Sequence, residues 1–293
     1  MTTRMSEPDR AALRRAAQNV RLIALDVDGT SINSRGECTP HTRQVLQRLI
    51  DRGILVVPAT GRAYAGLVGG ALPLHGIRYV ISADGAIVTR CEDNVRIRQR
   101  LIPCATAARL AADLMRDTNC VYYHRDDEAC THVMACRSRE IFFALKKYPD
   151  QDDGLWNGVV KDGLDRRILA EGQDVVKMGM WFPIEEGFEG YEEMVRRNYP
   201  EISCFRADDN VLEFTAADTS KGTALEALAW YLGIPMEQTL AIGDNGNDVG
   251  MIRRAGIGVA MGNAIPQAKQ SADWVARTQD EDGAAEFFEQ FLL

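Results

Sequence analysis

Two aspartates stand one residue apart where the first strongly apolar segment of the chain ends, in LIALDVDGTS. Alternate side chains of a strand share a face, so Asp26 and Asp28 would point the same way if the strand continued through them. Two like charges at that spacing are costly unless a cation, or a proton on one of them, offsets the repulsion. A turn built on Asp28 and Gly29 accounts for this segment equally well, so the segment alone leaves both interpretations open.

A second acidic segment, AIGDNGNDVGM, again places carboxylates after an apolar strand. Asp244 and Asp248, with Asn247 between them, can converge with the first pair of aspartates on one cation, because ligand sites in open parallel sheets lie at the carboxyl ends of the strands. Oxygen ligands favour Mg²⁺ over Zn²⁺, and no histidine is close in sequence to either segment. Helix N-capping is the alternative for Asp248, but it does not account for the first pair as well.

Two further segments carry groups that suit an anion. PATGR ends a strand at Thr60 and leads through Gly61 and Arg62 into a predicted helix, whose N-terminal N–H groups and dipole attract negative charge. DTSKG places Lys221 in the first turn of a helix, where a cation is unfavourable for the helix dipole. That placement suggests a functional role, although an ordinary exposed lysine is the alternative for this position taken alone.

The elements around these residues indicate a doubly wound α/β fold. RLIALDV and GILVVPAT are short, nearly all-apolar runs, typical of parallel strands covered on both faces, and PHTRQVLQRLIDRG between them has helical spacing. The C-terminal third repeats the pattern, with strands in TLAIGDN and IGVAM and helices in TSKGTALEALAWYLG and EDGAAEFFEQFLL. The sequence therefore predicts a Rossmann-like core with a mainly parallel sheet.

The middle of the chain differs from both ends. Half-exposed strands such as CVYYHRD and VVKMGMWF occur with amphipathic helices such as ATAARLAADLMRD. This pattern predicts an α+β cap domain inserted at residues 88–209 into a discontinuous core formed by residues 18–87 and 210–293. Residues 1–17 lack an apolar signal core and are predicted to be an N-terminal extension, either a short charged helix or a frayed tail.

Composition narrows the class of function. The chain has 293 residues and a formal net charge of -8, which argues against nucleic-acid or anionic-membrane binding, since both need a basic surface. Its seven cysteines form no C-x-x-C pair, so we expect a reducing cytoplasmic location without a disulfide framework. No apolar run approaches the roughly 18 residues of a membrane helix, so no membrane partner is expected.

DVDGT, ATGR, SKG and GDNGND occur in the order and context of the four motifs of the haloacid dehalogenase-like phosphatase superfamily. The C-terminal segment resembles its Cof-type subgroup (subfamily IIB, with a C2-type cap), whose GDxxND, AMGNA and terminal DG patterns are all present. The resemblance covers the core and implies a cytoplasmic, Mg²⁺-dependent phosphatase of small phosphorylated metabolites, either a monomer or a homodimer. A sugar phosphate is the default substrate, with pyridoxal phosphate and flavin or nucleotide monophosphates as alternatives.

The resemblance implies a role for each motif residue. Asp26 would attack phosphorus to form an aspartyl-phosphate, and Asp28 would protonate the leaving alcohol and then activate water. Lys221 would hold the transferring phosphoryl group and offset the charge of Asp26. The implied phosphate-binding or substrate-binding residues are Thr60, Gly61, Arg62, Lys221 and Asn247. The implied Mg²⁺ site comprises Asp26, Asp28 through its backbone carbonyl, Asp244 and Asp248.

One residue departs from the Cof-type pattern. ADGA follows the third strand where that subgroup usually has NGA, so Asp84 adds a negative charge near the substrate entrance if its loop faces the site. In the inserted domain, six residues are candidates for contact with the leaving group, namely Arg137, Arg139, Lys177, Tyr122, Tyr123 and Trp181. For each of these six, solvation or packing within the domain is the stronger interpretation.

Other functions fit the motifs less well. Asp28 argues against a dehalogenase, which lacks that aspartate, and a P-type ATPase would have Lys-Thr at Val27 and Asp28. A nucleotide-binding Rossmann protein would have G-x-G-x-x-G after the first strand, where this chain has DVDGTS. A phosphomutase and a noncatalytic metabolite-binding or regulatory protein on the same fold remain as alternatives.

Overall fold

The computed structural model describes residues 7–64, 67, 72–116, 119–126, 131–145 and 159–293. The chain divides into two compact units, one of residues 1–99 with 220–293 and one of residues 100–219. The divisions thus fall after residues 99 and 219, where the sequence predicted 87 and 209. They fall later because two strands after residue 86 extend a sheet of the first unit, whereas the strand from residue 211 pairs within the second unit.

A parallel sheet of five strands forms the centre of the first unit, in the order β13-β12-β11-β1-β2. The strands are β1 (Leu22–Leu25), β2 (Leu55–Pro58), β11 (Thr239–Gly243), β12 (Ile257–Ala260) and β13 (Trp274–Val275). β1 lies between β11 and β2, and Leu25 at its end is level with Ile242 and Pro58. The residues that follow these three strands therefore meet at one edge of the sheet.

A three-stranded antiparallel sheet accompanies the parallel one. It consists of β3 (Tyr79–Ser82), β4 (Ile87–Arg90) and β5 (Val95–Gln99). A parallel bridge between Ala59 and Ile81 places β3 beside the end of β2. The 3₁₀ turn Ala83–Gly85, which follows β3, therefore reaches the same edge as the ends of β1 and β2.

Helices cover both faces of the parallel sheet. They are α1 (Glu7–Ala17), α2 (Pro40–Asp51), α7 (Lys221–Leu232), α8 (Val249–Arg254), α9 (Pro266–Ser271) and α10 (Gly283–Phe291). Ile23 and Leu25 of β1 join a buried cluster with α1, α2, α9 and α10, whereas Leu22 and Ala24 join one with α7. The predicted doubly wound α/β core is confirmed. No helix in the described ranges is long and apolar enough to cross a membrane.

The second unit is an α+β structure. Its antiparallel sheet has the order β7-β6-β8-β10-β9. The strands are β6 (Cys120–Asp126), β7 (Thr131–Cys136), β8 (Lys177–Trp181), β9 (Ile202–Asp208) and β10 (Val211–Ala216). The helices are α3 (Cys104–Leu114), α4 (Arg139–Leu145), α5 (Leu164–Glu171) and α6 (Glu189–Asn198). Its larger apolar core includes α3, α5 and α6, and a smaller one includes α4.

The cysteine prediction was wrong at one pair. Cys120 and Cys136 form a disulfide between β6 and β7. The two residues are direct cross-strand partners with Cα atoms 4.4 Å apart, a proximity that a sequence separation of 16 residues does not reveal. The free cysteines that the structure describes are Cys38, Cys91, Cys104 and Cys204.

Candidate active site

Three of the predicted site residues lie just after strands whose carboxyl ends meet. Asp26 follows β1, Thr60 lies two residues after β2, and Asp244 follows β11. The backbone N–H of Asp26 donates to the carbonyl of Ile242 at 3.0 Å, which continues the pairing of β1 with β11. Adjacent parallel strands thus bring residues that are far apart in sequence to one edge of the sheet.

Lys221 lies at the centre of a buried ion cluster. Its Nζ is 2.6 Å from Oδ1 of Asp26 and 2.6 Å from Oδ1 of Asp248, and the three side chains are 1%, 5% and 0% exposed. Burial by itself lowers the pKa of Lys221, but the charges of Asp248, Asp26 and Asp84 raise that pKa well above its usual range. The lysine therefore stays protonated, and its ion pairs explain a cation in the first turn of α7.

The carboxylates of the site outnumber this positive charge. Burial raises the pKa of Asp26 well above its usual range, and the charge of Asp248 adds to the effect while Lys221 opposes it. Burial likewise raises the pKa of Asp244 to about 7, again with a contribution from Asp248. Three carboxylates around one ammonium group leave an excess of negative charge, which a divalent cation can offset.

The donor atoms of the site fit a hard cation. Asp26, Asp244 and Asp248 each offer a carboxylate oxygen, and these oxygens lie within 4.8 Å of one another. Oδ2 of Asp26 is buried and has no hydrogen-bond partner within the described part of the chain. Buried polar atoms are normally paired, so an unpaired one in an all-oxygen donor set fits Mg²⁺.

Asp248 has a further task in this structure. Its Oδ1 accepts from Lys221, and its Oδ2 accepts the backbone N–H groups of Asp244 and Asn245, both at 2.9 Å. Both oxygens therefore have partners, and the side chain holds the lysine against the loop that follows β11. Its predicted role as a metal ligand stays a prediction, and its contacts are those of a positioning residue.

Asp28 and Arg62 form a two-point ion pair that was not predicted. Nε of Arg62 donates to Oδ2 of Asp28 at 2.8 Å, and Nη2 of Arg62 donates to Oδ1. The side chains of Asp28 and Arg62 are 55% and 40% exposed. The pair orients the predicted acid–base residue, and the predicted phosphate contact of Arg62 stays a prediction.

The loop after β2 is held by its own polar groups. The hydroxyl oxygen of buried Thr60 accepts the backbone N–H of Arg62 at 3.1 Å, and the Thr60 carbonyl accepts the N–H of Asp84 at 3.0 Å. Gly61 approaches the Asp84 side chain closely, since a Cβ at residue 61 would lie 3.0 Å from Oδ1 of Asp84. The helix predicted after Arg62 falls largely within residues 65–71, mostly outside the described ranges, so anion binding by its N-terminus stays a prediction.

The predicted phosphate-binding residue Asn247 is joined to the residue that departs from the Cof-type pattern. Its Nδ2 donates to Oδ1 of Asp84 at 2.8 Å. Asn247 is half-buried, whereas Asp84 is only 1% exposed. Asp84 therefore belongs to the interior of the site and does not lie at a solvated entrance.

Asn263 is a site residue for which no role was predicted. Its Nδ2 lies within hydrogen-bond distance of three acceptors, namely the carbonyl of Gly29 at 2.8 Å, Oε1 of Gln279 at 3.0 Å and Oδ2 of Asp244 at 3.2 Å. These bonds connect Asp244 to the loop that follows β1. Asn263 belongs to the AMGNA pattern, which marked the residue in the sequence but did not identify its partners.

Four of the substrate-contact candidates in the second unit pack within that unit. Nζ of Lys177 lies 2.8 Å from Oε1 of Glu213, which also accepts from the hydroxyl of Tyr122 at 3.0 Å. Tyr123 is buried in the larger apolar core, and Trp181 packs in the smaller one. Internal packing thus accounts for these side chains, and their contact with a substrate stays a prediction.

Comparisons with known proteins agree with this fold and site. The family model described as haloacid dehalogenase-like hydrolase matches residues 23–288. The 5-amino-6-(5-phospho-D-ribitylamino)uracil phosphatase YwtE of Bacillus subtilis is 28% identical over 288 residues, which cover 93% of this chain and 98% of YwtE. A phosphatase of the haloalkanoate (HAD) superfamily from Bacteroides thetaiotaomicron has a TM-score of 0.76 and 25% identity over 99% of each chain. A haloacid dehalogenase-like hydrolase of B. subtilis also has a TM-score of 0.76, with 26% identity over 92% of this chain and 99% of that one.

A Rossmann-like core whose strand ends gather aspartates around a buried lysine agrees with this family model. The chain belongs to the haloacid dehalogenase-like hydrolase family. The predicted resemblance, including the Cof-type subgroup, is confirmed.

Proposed function

We propose that this protein is a Mg²⁺-dependent phosphatase that hydrolyses a small-molecule phosphomonoester through an aspartyl-phosphate on Asp26. The environment of Asp26 carries the proposal. Its Oδ1 accepts from Lys221 at 2.6 Å, whereas its Oδ2 is buried and unpaired among the described residues. One carboxylate oxygen is thus anchored, and the other is open to phosphorus or to a metal ion. As a member of its family with every motif residue retained, the chain is a phosphomonoesterase.

The reaction has two halves, which share the same residues. In the first, a carboxylate oxygen of Asp26 bonds to phosphorus, the bond from phosphorus to the leaving oxygen breaks, and Asp28 protonates the departing alcohol. In the second, Asp28 accepts a proton from water, the water oxygen attacks phosphorus, and the bond to Asp26 breaks to release phosphate. Lys221 keeps a fixed positive charge beside the nucleophile, and phosphoryl transfer depends mainly on such positioning and charge.

Each of the other motif residues has a place in this scheme. Asp26, Asp244 and the backbone carbonyl of Asp28 would hold Mg²⁺, with Asp248 holding Lys221 and the adjacent backbone. A bound Mg²⁺ supplies positive charge that offsets both the carboxylates and the transferring phosphoryl group. The remaining phosphate contacts are assigned to the loop that starts at Thr60, including Gly61 and Arg62, and to Asn247.

The proposed substrate is a phosphorylated sugar or sugar alcohol, or a metabolite that contains one. The relative YwtE is named for a phosphatase of a phosphoribityl compound, and this name supports a substrate of that chemical class. Pyridoxal phosphate and flavin or nucleotide monophosphates follow as alternatives. A cytoplasmic location and a monomeric or homodimeric state also stay predictions.

The test is phosphate release from a panel of phosphomonoesters, measured with Mg²⁺, with EDTA and with the Asp26→Asn variant. We expect turnover that requires Mg²⁺ and that falls by at least about 10³-fold in Asp26→Asn, because an amide cannot form the covalent intermediate. Turnover that persists in Asp26→Asn would contradict the nucleophile assignment. Absence of turnover on every ester, with Mg²⁺ still bound, would contradict the phosphatase proposal and favour a mutase or a noncatalytic binding protein.

A further inference from the structure

The turn that carries Asp84, Ala83–Gly85, contacts two elements that are assigned to phosphate binding. The backbone N–H of Asp84 donates to the carbonyl of Thr60, and the N–H of Ala83 donates to the carbonyl of Arg62 at 2.9 Å. On its other side, Gly85 contacts the backbone carbonyl of Ser220, and any Cβ at this position would clash with it. The turn therefore lies against both the loop after β2 and the residue that precedes Lys221.

The backbone of this turn is strained in a way that an aspartate tolerates. Ala83, Asp84 and Gly85 have φ angles of 47°, 57° and 95°, all in the left-handed region. This region is unfavourable for most residues that have a side chain, and aspartate, asparagine and glycine are the residues that enter it most readily. The conformation therefore suits either Asp or Asn at residue 84 but does not explain why a charged side chain is buried there.

The Asp84 carboxylate acts on two residues of the site. It accepts from Nδ2 of Asn247 at 2.8 Å, and its charge contributes to the raised pKa of Lys221. An ionised carboxylate only accepts hydrogen bonds, so the nitrogen of the Asn247 carboxamide must face it. An amide at residue 84 could instead donate to Asn247 Oδ1, which would permit the opposite orientation of Asn247.

The negative charge of Asp84 also repels the phosphate dianion that the site is proposed to bind. Lys221 is already held in its charged form by Asp26 and Asp248, so a further carboxylate adds repulsion towards a phosphate dianion. At the effective dielectric of a protein site, a unit charge a few ångströms away changes the affinity for an anion by about tenfold or more.

We propose that Asp84 is a positioning residue of the phosphoryl site that fixes the Asn247 carboxamide in one orientation and weakens the binding of free phosphate. The inference rests on the proposed function, and it gives this side chain a role in the release of inorganic phosphate. Asp84→Asn keeps the size of the side chain and an acceptor oxygen, and asparagine tolerates the left-handed backbone, so this variant removes chiefly the charge.

The experiment measures inorganic phosphate binding by titration calorimetry with Mg²⁺, together with KM and kcat on the best ester, for the wild type and Asp84→Asn. Asp51→Asn is the matched control. It removes one exposed carboxylate at the end of α2 that leads into the start of β2, away from the carboxyl ends of the strands. We expect Asp84→Asn to bind phosphate about tenfold more tightly, with lower KM and lower kcat, and Asp51→Asn to match the wild type. A merely damaged site would give the opposite sign, with weaker phosphate binding and a higher KM.

Two results would overturn the proposal. One is phosphate binding that is unchanged or weaker in a folded Asp84→Asn variant, and the other is tightening of equal size in Asp51→Asn. Failure of the proposed function is a separate result, since it appears as absence of wild-type turnover on every ester. The phosphate titrations with the two variants still decide the role of Asp84 in that case.

Discussion

Nζ of Lys221 lies 2.6 Å from a carboxylate oxygen of Asp26, although the two residues are 195 positions apart in the chain. The contact joins the first turn of α7 to the end of the central strand β1. Both side chains are at most 5% exposed, so their attraction acts where water screens it little. One contact thus joins two distant segments and places a fixed positive charge beside the proposed nucleophile.

Replacement of Lys221 tests its contribution to catalysis and its contribution to stability separately. We expect Lys221→Met to lower kcat/KM by about 10²–10³-fold, because a fixed charge beside the reacting group is lost. The free energy of unfolding should fall by about 3–5 kcal/mol, since removal of one partner leaves buried carboxylates uncompensated. Urea denaturation and initial rates measure the two effects. Lys161→Met is the matched control, because Lys161 is exposed, and equal losses in both variants would contradict the assignment.

Asp244 should link metal binding to stability. Burial raises its pKa to about 7, so without a metal its contribution to stability is complete below a pH of about 4 and is lost as the pH rises through 7. Mg²⁺ binding should offset this loss of stability. At a Mg²⁺ concentration of one hundred times the dissociation constant, binding adds about 2.7 kcal/mol to the free energy of unfolding. Thermal unfolding of the wild type at pH 7.5 should therefore shift upward with Mg²⁺.

Asp244→Asn is the variant that tests this link. It keeps an oxygen donor but loses the charge, so it should be at least as stable as the wild type in EDTA and should gain much less from Mg²⁺. Asp273→Asn, at a carboxylate that caps the backbone N–H of Gly258, is a control outside the site. If Mg²⁺ raises the unfolding temperature of Asp244→Asn as much as that of the wild type, Asp244 is not a metal ligand.

Much of this site was predictable because its residues follow apolar strands. Asp26, Thr60 and Asp244 each come at or just after the end of a short apolar run, and parallel packing brings such ends together. The partners of the side chains were less predictable. The contacts between Arg62 and Asp28, and between Asn263 and Asp244, depend on loop conformation and rotamers that no periodicity encodes.

The boundaries between the two units were also only partly predictable from the sequence. β5 has the sequence VRIRQ, whose alternation resembles the half-exposed strands of the second unit, and it follows β4, which has the sequence IVTR. In the structure β4 pairs with β3, and β5 pairs with β4, all within the first unit. Alternation indicates a strand, but tertiary pairing decides to which unit that strand belongs.

The pair of Arg62 and Asp28 predicts a dependence on the leaving group. If Arg62 chiefly orients the proposed acid–base residue, Arg62→Lys should lower kcat/KM by about 10–100-fold on a sugar phosphate, because lysine cannot reproduce two parallel hydrogen bonds. The fall in kcat/KM, which reports the steps up to departure of the leaving group, should be much smaller on p-nitrophenyl phosphate, whose leaving group needs no proton. Asp28→Asn should show the same pattern in kcat/KM more strongly. A uniform rise in KM on both esters would show that Arg62 binds phosphate instead.

We expect the stability to depend on pH through His41 as well, separately from the effect of Asp244. Its Nδ1 lies 3.4 Å from Asp282, and its Nε2 lies 3.1 Å from Glu289. Burial by itself lowers the pKa of His41, but hydrogen bonds with Glu289 and Asp282 raise it above its usual range. The stability gained from a raised histidine pKa is complete below about pH 6.5 and is lost as the pH rises through the folded-state pKa.

Asp282 sets the lower limit of this window. Burial by itself raises its pKa, but hydrogen bonds from Thr39, Thr42 and His41 lower it below its usual range. Its contribution is therefore present above a pH of about 4 and is lost as the pH falls through the folded-state pKa. The contact between His41 and Asp282 should stabilise the fold most between about pH 4 and 6.5.

Urea denaturation of the wild type and His41→Gln at pH 5.5 and pH 9 measures the effect. Because these side chains are partly exposed, we expect a difference of at most about 1 kcal/mol at pH 5.5 and none at pH 9. Arg48→Gln is the matched control, since Arg48 also contacts Glu289 at 3.0 Å but has no imidazole, so its effect should be the same at both pH values. A His41→Gln difference that is equally constant would show that the histidine acts through packing and not through its charge.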